Sequence, residues 1–214
     1  MAKHYQYILL DWDGNLANTL DLWMAATRSV LARHGHYPDD QTLGASLGHF
    51  EVAFARLGVE NPRAAINDIR DEVTANLPQA PLYPDALEVL QHLKSRGKNL
   101  ALVTTGWRPM IDAALQHHEL TGLFDIVITG DDVTHHKPHA EPLQKALAAL
   151  GGIKDQAIMI GDTEKDIGSA HNAGIDSILF LPPQHAPFYD FEDMLAHRPT
   201  HAITDFRDIM GLIA

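Results

Sequence analysis

The chain has 214 residues, 45% hydrophobic and 21% charged, with a formal net charge of −12 at neutral pH and no cysteine. That size serves one core domain with a small insertion, and the composition is that of an ordinary soluble globular chain. The charge argues against a general nucleic-acid or anionic-membrane surface, and the absence of cysteine excludes disulfides, thiolate metal sites and a cysteine nucleophile.

The N-terminal run MAKHYQY lacks the long apolar core of a signal peptide. No apolar run approaches the roughly 18 residues of a membrane span, so a cytoplasmic protein is expected. Tyr7 to Leu10 reads as a short buried strand. It runs into Asp11 and Asp13, one residue apart, and then Gly14, which lets the backbone turn sharply. Two carboxylates this close repel each other and are costly to bury. An apolar core does not call for them, whereas a divalent cation does. A strand ending in a solvated acidic turn is the other reading of this stretch alone. Trp12, between the aspartates, either lines such a site or packs locally.

From Leu20 to about Gln79 the pattern is helical, with no strand. Leu22, Trp23, Ala26, Val30 and Leu31 space a helix over 20–34 that stops near Gly35. Residues 37–48 read as a loop and a short helix punctuated by Pro38, Gly44 and Gly48. A helix over 50–57 ends at Gly58, and Asn61 caps a further helix from Pro62 to Leu77. After Pro84, helices and strands alternate: helices from 84 to about 97, 108–118, 138–150 and 165–173, strands over 99–104, 124–129, 156–160 and 176–181. Residues 184–198 read as a loop plus a short helix, 201–203 as an edge strand, and Asp205 as the cap of a final helix. Such alternation gives an α/β fold whose parallel sheet is covered by helices on both faces. Ligands then sit beyond the carboxyl ends of the strands, where Asp11, Thr104 and Asp162 fall.

Four stretches stand in a telling order: DWDGN at 11–15, LVTT at 102–105, KP at 137–138 and GDTEKD at 161–166. Together they resemble the haloacid dehalogenase superfamily, in its phosphoglycolate phosphatase-like branch. The resemblance implies a Rossmann-like core over 1–16 and 81–214, with an inserted α-helical cap over 17–80. It further implies a magnesium-dependent phosphatase acting on a small phosphorylated metabolite. Asp11 is then the nucleophile that forms an aspartyl phosphate, and Asp13 the general acid and base. Asp11, Asp13 through its backbone carbonyl, and Asp162 would hold Mg2+. Thr104, Thr105 and Lys137 would bind the phosphoryl group, with Gly14 and Asp166 in support. Asp166 would bind a metal water or orient Lys137. The aspartate at position 13 favours phosphoryl chemistry over carbon–halogen cleavage.

The sequence also departs from that pattern. Asn15 stands where the family usually has threonine and Asn18 where an aspartate is common. Trp23 occupies the position at which phosphomutases carry a histidine, and 17–80 contains no lysine for a Schiff base. Both absences favour simple hydrolysis over the alternatives, a sugar phosphomutase-type transfer or a non-catalytic binding module. Trp23, Arg28, His49 and Arg56 are the expected substrate contacts from the cap. His135, His136 and His139 read as a solvated loop, since adjacent histidines do not easily share one ion.

Overall fold

A computed structural model of the chain describes residues 3–47 and 49–213; Gly48, expected in a loop, lies outside them. Among the described residues six strands form one parallel sheet: β1 (Tyr7–Leu10), β2 (Asn99–Val103), β3 (Ile126–Ile128), β4 (Ala157–Gly161), β5 (Asp176–Phe180) and β6 (His201–Ile203). Their order is β3-β2-β1-β4-β5-β6. β1 is therefore central, and the chain winds outward from it in both directions. Ile8, Leu9 and Leu10 are completely buried, as an unbroken apolar run should be when both faces of a sheet are covered. Alternate residues serve opposite layers. Ile8, Leu10, Leu102 and Ile160 pack with Val89, Leu90, Ile111 and Ile209, while Leu9, Val103 and Met159 pack with Leu143, Leu147 and Ala170.

After β1, and ahead of the helix that leads into β2, the described residues form α1 (Leu20–Arg33), α2 (Asp40–Ser46), α3 (Phe50–Leu57), α4 (Pro62–Asn76) and a 3-10 turn over Leu77–Gln79. Asn61 caps α4 by accepting the Ala64 N–H, and Gly58 closes α3 in the left-handed conformation, as their residue types predict. The buried faces of these helices, including Met24, Val30, Phe54, Ile69 and Val73, join the first layer of the sheet in one continuous apolar cluster. The remaining helices are α5 (Ala86–Ser95), α6 (Arg108–His117), α7 (Glu141–Leu150), α8 (Glu164–Ala173), α9 (Phe191–Ala196) and α10 (Asp208–Leu212). No helix among the described residues is long and apolar enough to cross a membrane.

Several details differ from the sequence reading. Gly44, expected to punctuate a loop, lies inside α2, where any Cβ would meet the backbone oxygen of Phe188 at 2.1 Å. The helix expected from Pro138 starts at Glu141, because residues 137–140 form the turn that carries Lys137. β2 ends at Val103, leaving Thr104 just past the strand. Asp205 accepts the Arg207 N–H one turn ahead of α10, whose N-cap is Arg207 itself. Trp12 is fully buried with its ring tilted against His118, so it packs in the core and does not line the site.

Candidate active site at the strand ends

The register of the sheet brings the acidic motifs together. Leu10 of β1 lies beside Leu102 of β2 and Ile160 of β4, so Asp11, Thr104 and Asp162 leave three adjacent strands at nearly one level. Asp11 extends the pairing by one bond, its N–H donating to Ile160 O at 3.0 Å. The chain then folds back: Trp12 O accepts the N–H groups of Leu16 and Ala17, and Gly14 N–H donates to Ala17 O. Asn15, completely buried, donates its side-chain amide to the Asp11 carbonyl at 3.0 Å. At Gly14 φ is +72°, and a Cβ there would sit 2.0 Å from Asp162 Oδ2. Only glycine meets both demands, and its bareness lets the two acidic loops touch.

Lys137 is buried at the centre. Its ammonium lies 2.9 Å from Asp11 Oδ1 and donates to Asp166 Oδ1 at 2.6 Å and to Val103 O at 3.1 Å. Asp166 sits in the first turn of α8, where its Oδ2 accepts the N–H and hydroxyl of Thr163 in a capping box. Of the two roles expected for Asp166, orienting Lys137 is the one the contacts display. Asp162 is buried, and its Oδ1 has no hydrogen-bond partner among the described residues; Tyr189 directs its hydroxyl at Oδ2 from 3.5 Å. Asp13 is half-buried and its Oδ1 is likewise unpartnered. Thr104 is buried with its hydroxyl oxygen accepting the Gly106 N–H, and Thr105 is exposed at the cavity wall.

Four carboxylates around one ammonium leave an excess of buried negative charge. Burial pushes the Asp11 carboxyl up to about 7, with Asp166 and Asp13 adding to the rise against the pull of Lys137. Burial also raises Asp13, opposed by the Thr19 hydroxyl, and raises Asp162 further with help from Asp166 and Asp11. Burial alone would lower Lys137, but Asp11 and Asp166 outweigh it and hold the ammonium charged. Oxygens of Asp11, Asp162 and Asp166 lie within 4.8 Å of one another. This all-oxygen set, with Asp162 Oδ1 unpartnered, fits a hard divalent cation. The carboxyl of Asp13 is outside that group. Asp166 is inside it but already committed to Lys137 and Thr163.

Asp11, Asp13, Lys137 and Asp162 form the floor of a cavity of about 950 Å³ whose walls come from α1, α3, α4 and the start of α6. Of the four residues expected to reach substrate, Trp23 and His49 line it. Arg28 pairs with Asp40, and Arg56 is exposed outside the cavity. The sequence reading missed Arg63, Arg70, Trp107, Lys165 and Tyr189, all on the wall. The signal for the arginines was present, since 63, 66, 67, 70, 73 and 74 recur at helical spacing along α4. Away from the cavity, His135 and His139 meet Glu141 in an exposed loop. There the carboxylate accepts the N–H groups of Thr134 and His135, the His135 ring and Lys145, an arrangement that secures the loop ahead of α7.

Residues 8–180 match the family described as haloacid dehalogenase-like hydrolase, and the chain belongs to it. Pyrophosphatase PpaX of Bacillus cereus is 35% identical over 178 residues, which span 78% of this chain and 79% of that protein. A structure described as a haloacid dehalogenase-like hydrolase from Bacteroides fragilis superposes with a TM-score of 0.78 at 28% identity, covering 96% of this chain and 99% of the other. One described as a phosphoglycolate phosphatase from Lactobacillus plantarum shares the fold, with a TM-score of 0.80 at 24% identity over 98% and 99% of the two chains. The chain is thus an enzyme, a hydrolase of the phosphatase type.

Proposed function

We propose that this enzyme is a magnesium-dependent phosphatase that hydrolyses a small phosphorylated metabolite through an aspartyl phosphate on Asp11. The observation that carries the reading is the cluster of Asp11, Asp13, Asp162 and Asp166 around Lys137 at adjacent strand ends, closed by a glycine that no other residue can replace. Asp11, the Asp13 carbonyl and Asp162 would hold the magnesium, which would supply the positive charge that a phosphoryl group needs to approach these carboxylates. Residues 17–80 act as a cap over the site, and 1–16 with 81–214 form the core that carries it.

Within that frame each side chain has one task. Asp11 Oδ1 is occupied by the Trp12 N–H and by Lys137, so Oδ2 is the oxygen that attacks phosphorus. As the P–O bond to Asp11 forms, the bond to the leaving oxygen breaks, and Asp13 gives that oxygen its proton. The raised affinity of Asp13 for a proton suits this role. Water then attacks phosphorus, Asp13 takes its proton back, and the Asp11 carboxylate is released with inorganic phosphate. Lys137, fixed by Asp166 and Val103 O, offsets charge on the phosphoryl oxygens, joined by the hydroxyls of Thr104 and Thr105. Trp23 at the cavity wall offers no proton-transfer group for a mutase cycle. The test is phosphate release from a panel of phosphorylated metabolites, with and without Mg2+, by wild type and Asp11→Asn. Metal-dependent release that the substitution abolishes is expected. Release that survives it, or none from any compound, would defeat the reading.

A further inference from the structure

The floor of the cavity accounts for one phosphoryl group, and most of the remaining space has no role in that chemistry. At about 950 Å³ the cavity stands at the upper end of the range that encloses drug-sized ligands. Part of its wall is apolar and aromatic, with Trp23, Phe50, Met110 and Trp107 contributing. Trp107 is 62% exposed although it lines the cavity, which leaves its indole available to a planar partner.

Along α4 the character of the wall changes. α4 turns Ile66, Asn67, Arg70, Val73 and Thr74 into the cavity, so the helical neighbours of Arg70 on that face are all uncharged. Arg70 makes no ion pair with any described residue, in a chain whose net charge is −12. Arg63, one step further along the face, already has Glu51 at 4.0 Å. The 3-10 turn at Leu77, just past the end of α4, lines the cavity and packs on α6, whose start lines it too. Seven residues of helix from Leu77 back to Arg70 span about 10 Å. An exposed cation that makes no ion pair with a described residue, and that lines the same cavity as the phosphoryl site, is placed for a second negative group.

Resting on the phosphatase reading above, we infer that the substrate is a phosphate monoester with a flat apolar body and a second anionic group at its far end, received by Arg70. Pyrophosphate, the substrate implied by the name of the Bacillus relatives, would leave Arg70 and most of the cavity unused.

The experiment compares two matched pairs of probes. Hydrolysis is measured on phenyl phosphate and 4-(carboxymethyl)phenyl phosphate. Binding is measured by calorimetry with benzylphosphonate and its 4-carboxy derivative, which cannot turn over. In wild type the carboxylate is expected to improve kcat/KM and affinity by about tenfold, chiefly through KM, as a charge-assisted hydrogen bond would. In Arg70→Gln the ratio within each pair should fall to about one, whereas Arg56→Gln, outside the cavity, should keep the wild-type ratio. A ratio near one in wild type, a ratio that Arg70→Gln leaves unchanged, or a preference for pyrophosphate over both esters would overturn the inference. If no ester is cleaved, the phosphatase reading fails by itself, and the phosphonate pair still decides whether Arg70 receives an anion.

Discussion

Lys137 and Gly14 show how closely chemistry and packing are joined at this site. Taken alone, the lysine reads as a solvated surface residue; in the fold it is buried between Asp11 and Asp166, because the turn over 137–140 drives it under the sheet end. Gly14 looks like a simple turn glycine, yet its missing Cβ is the space that Asp162 fills. Gly14→Ala should therefore destabilise the fold by about 2 kcal/mol or more, from both the positive φ and the clash. It should also lower kcat/KM by orders of magnitude; urea titration and steady-state kinetics would show both effects. A variant with wild-type stability and activity would mean that the two acidic loops are not held together. Asn15, flagged by its departure from the usual threonine, has a visible structural task in holding the Asp11 carbonyl. No sequence pattern discloses that bond, since it depends on how the loop folds back.

At the scale of elements, periodicity and capping residues made most helices and strands legible, because burial on one face or both leaves a direct mark on residue order. What escaped were contacts between distant segments. Gly44 was read as a breaker because nothing in its neighbourhood announces that Phe188 will press against it. Gly44→Ala is expected to destabilise the protein by about 1–3 kcal/mol through overpacking, despite the better helix propensity of alanine. Gly211→Ala in α10, where nothing lies within 4 Å, is expected to stabilise it by about 0.5 kcal/mol. Chemical denaturation of the pair distinguishes packing from propensity. The same C-terminal segment buries His185, which hydrogen-bonds Tyr83 and meets the Tyr189 ring edge-on. Burial holds this imidazole down to about 4 from its ordinary 6.5. Between those values the unfolded chain takes up a proton that the folded chain refuses, so stability rises with pH across the window and is lost as pH falls. The full effect is at most about 3 kcal/mol. His185→Gln should lessen the acid-induced loss of stability between pH 6.5 and pH 4, measured by thermal melting; an unchanged slope would contradict the assignment.

For the molecule as a whole, the parallel sheet and the order of its motifs were readable because alternating strands and helices admit few arrangements. The contacts of α1 to α4 were not, because a polar residue on a helix looks alike whether it faces solvent or a cavity. Arg28 and Arg70 illustrate this: one pairs with Asp40 on the surface and the other lines the wall. The excess of buried carboxylates also predicts a balance between stability and function. In the presence of a chelator, Asp162→Asn should be more stable than wild type by about 1–2 kcal/mol, since it removes a charge that burial disfavours. Magnesium should raise the melting temperature of wild type and leave that of the variant nearly unchanged. A destabilised variant in chelator would mean that Asp162 is satisfied without a cation.

The most direct test of the central claim is to look for the covalent intermediate. Wild type and Asp13→Asn are mixed with a substrate and magnesium, quenched in acid, digested and examined by mass spectrometry. With 4-nitrophenyl phosphate, whose leaving oxygen needs no proton, the mechanism predicts a phosphoryl group on Asp11, at higher occupancy in Asp13→Asn, where no base remains to activate water for its release. Rapid turnover with no phosphorylated Asp11 in either protein, or a phosphoryl group on another residue, would contradict it.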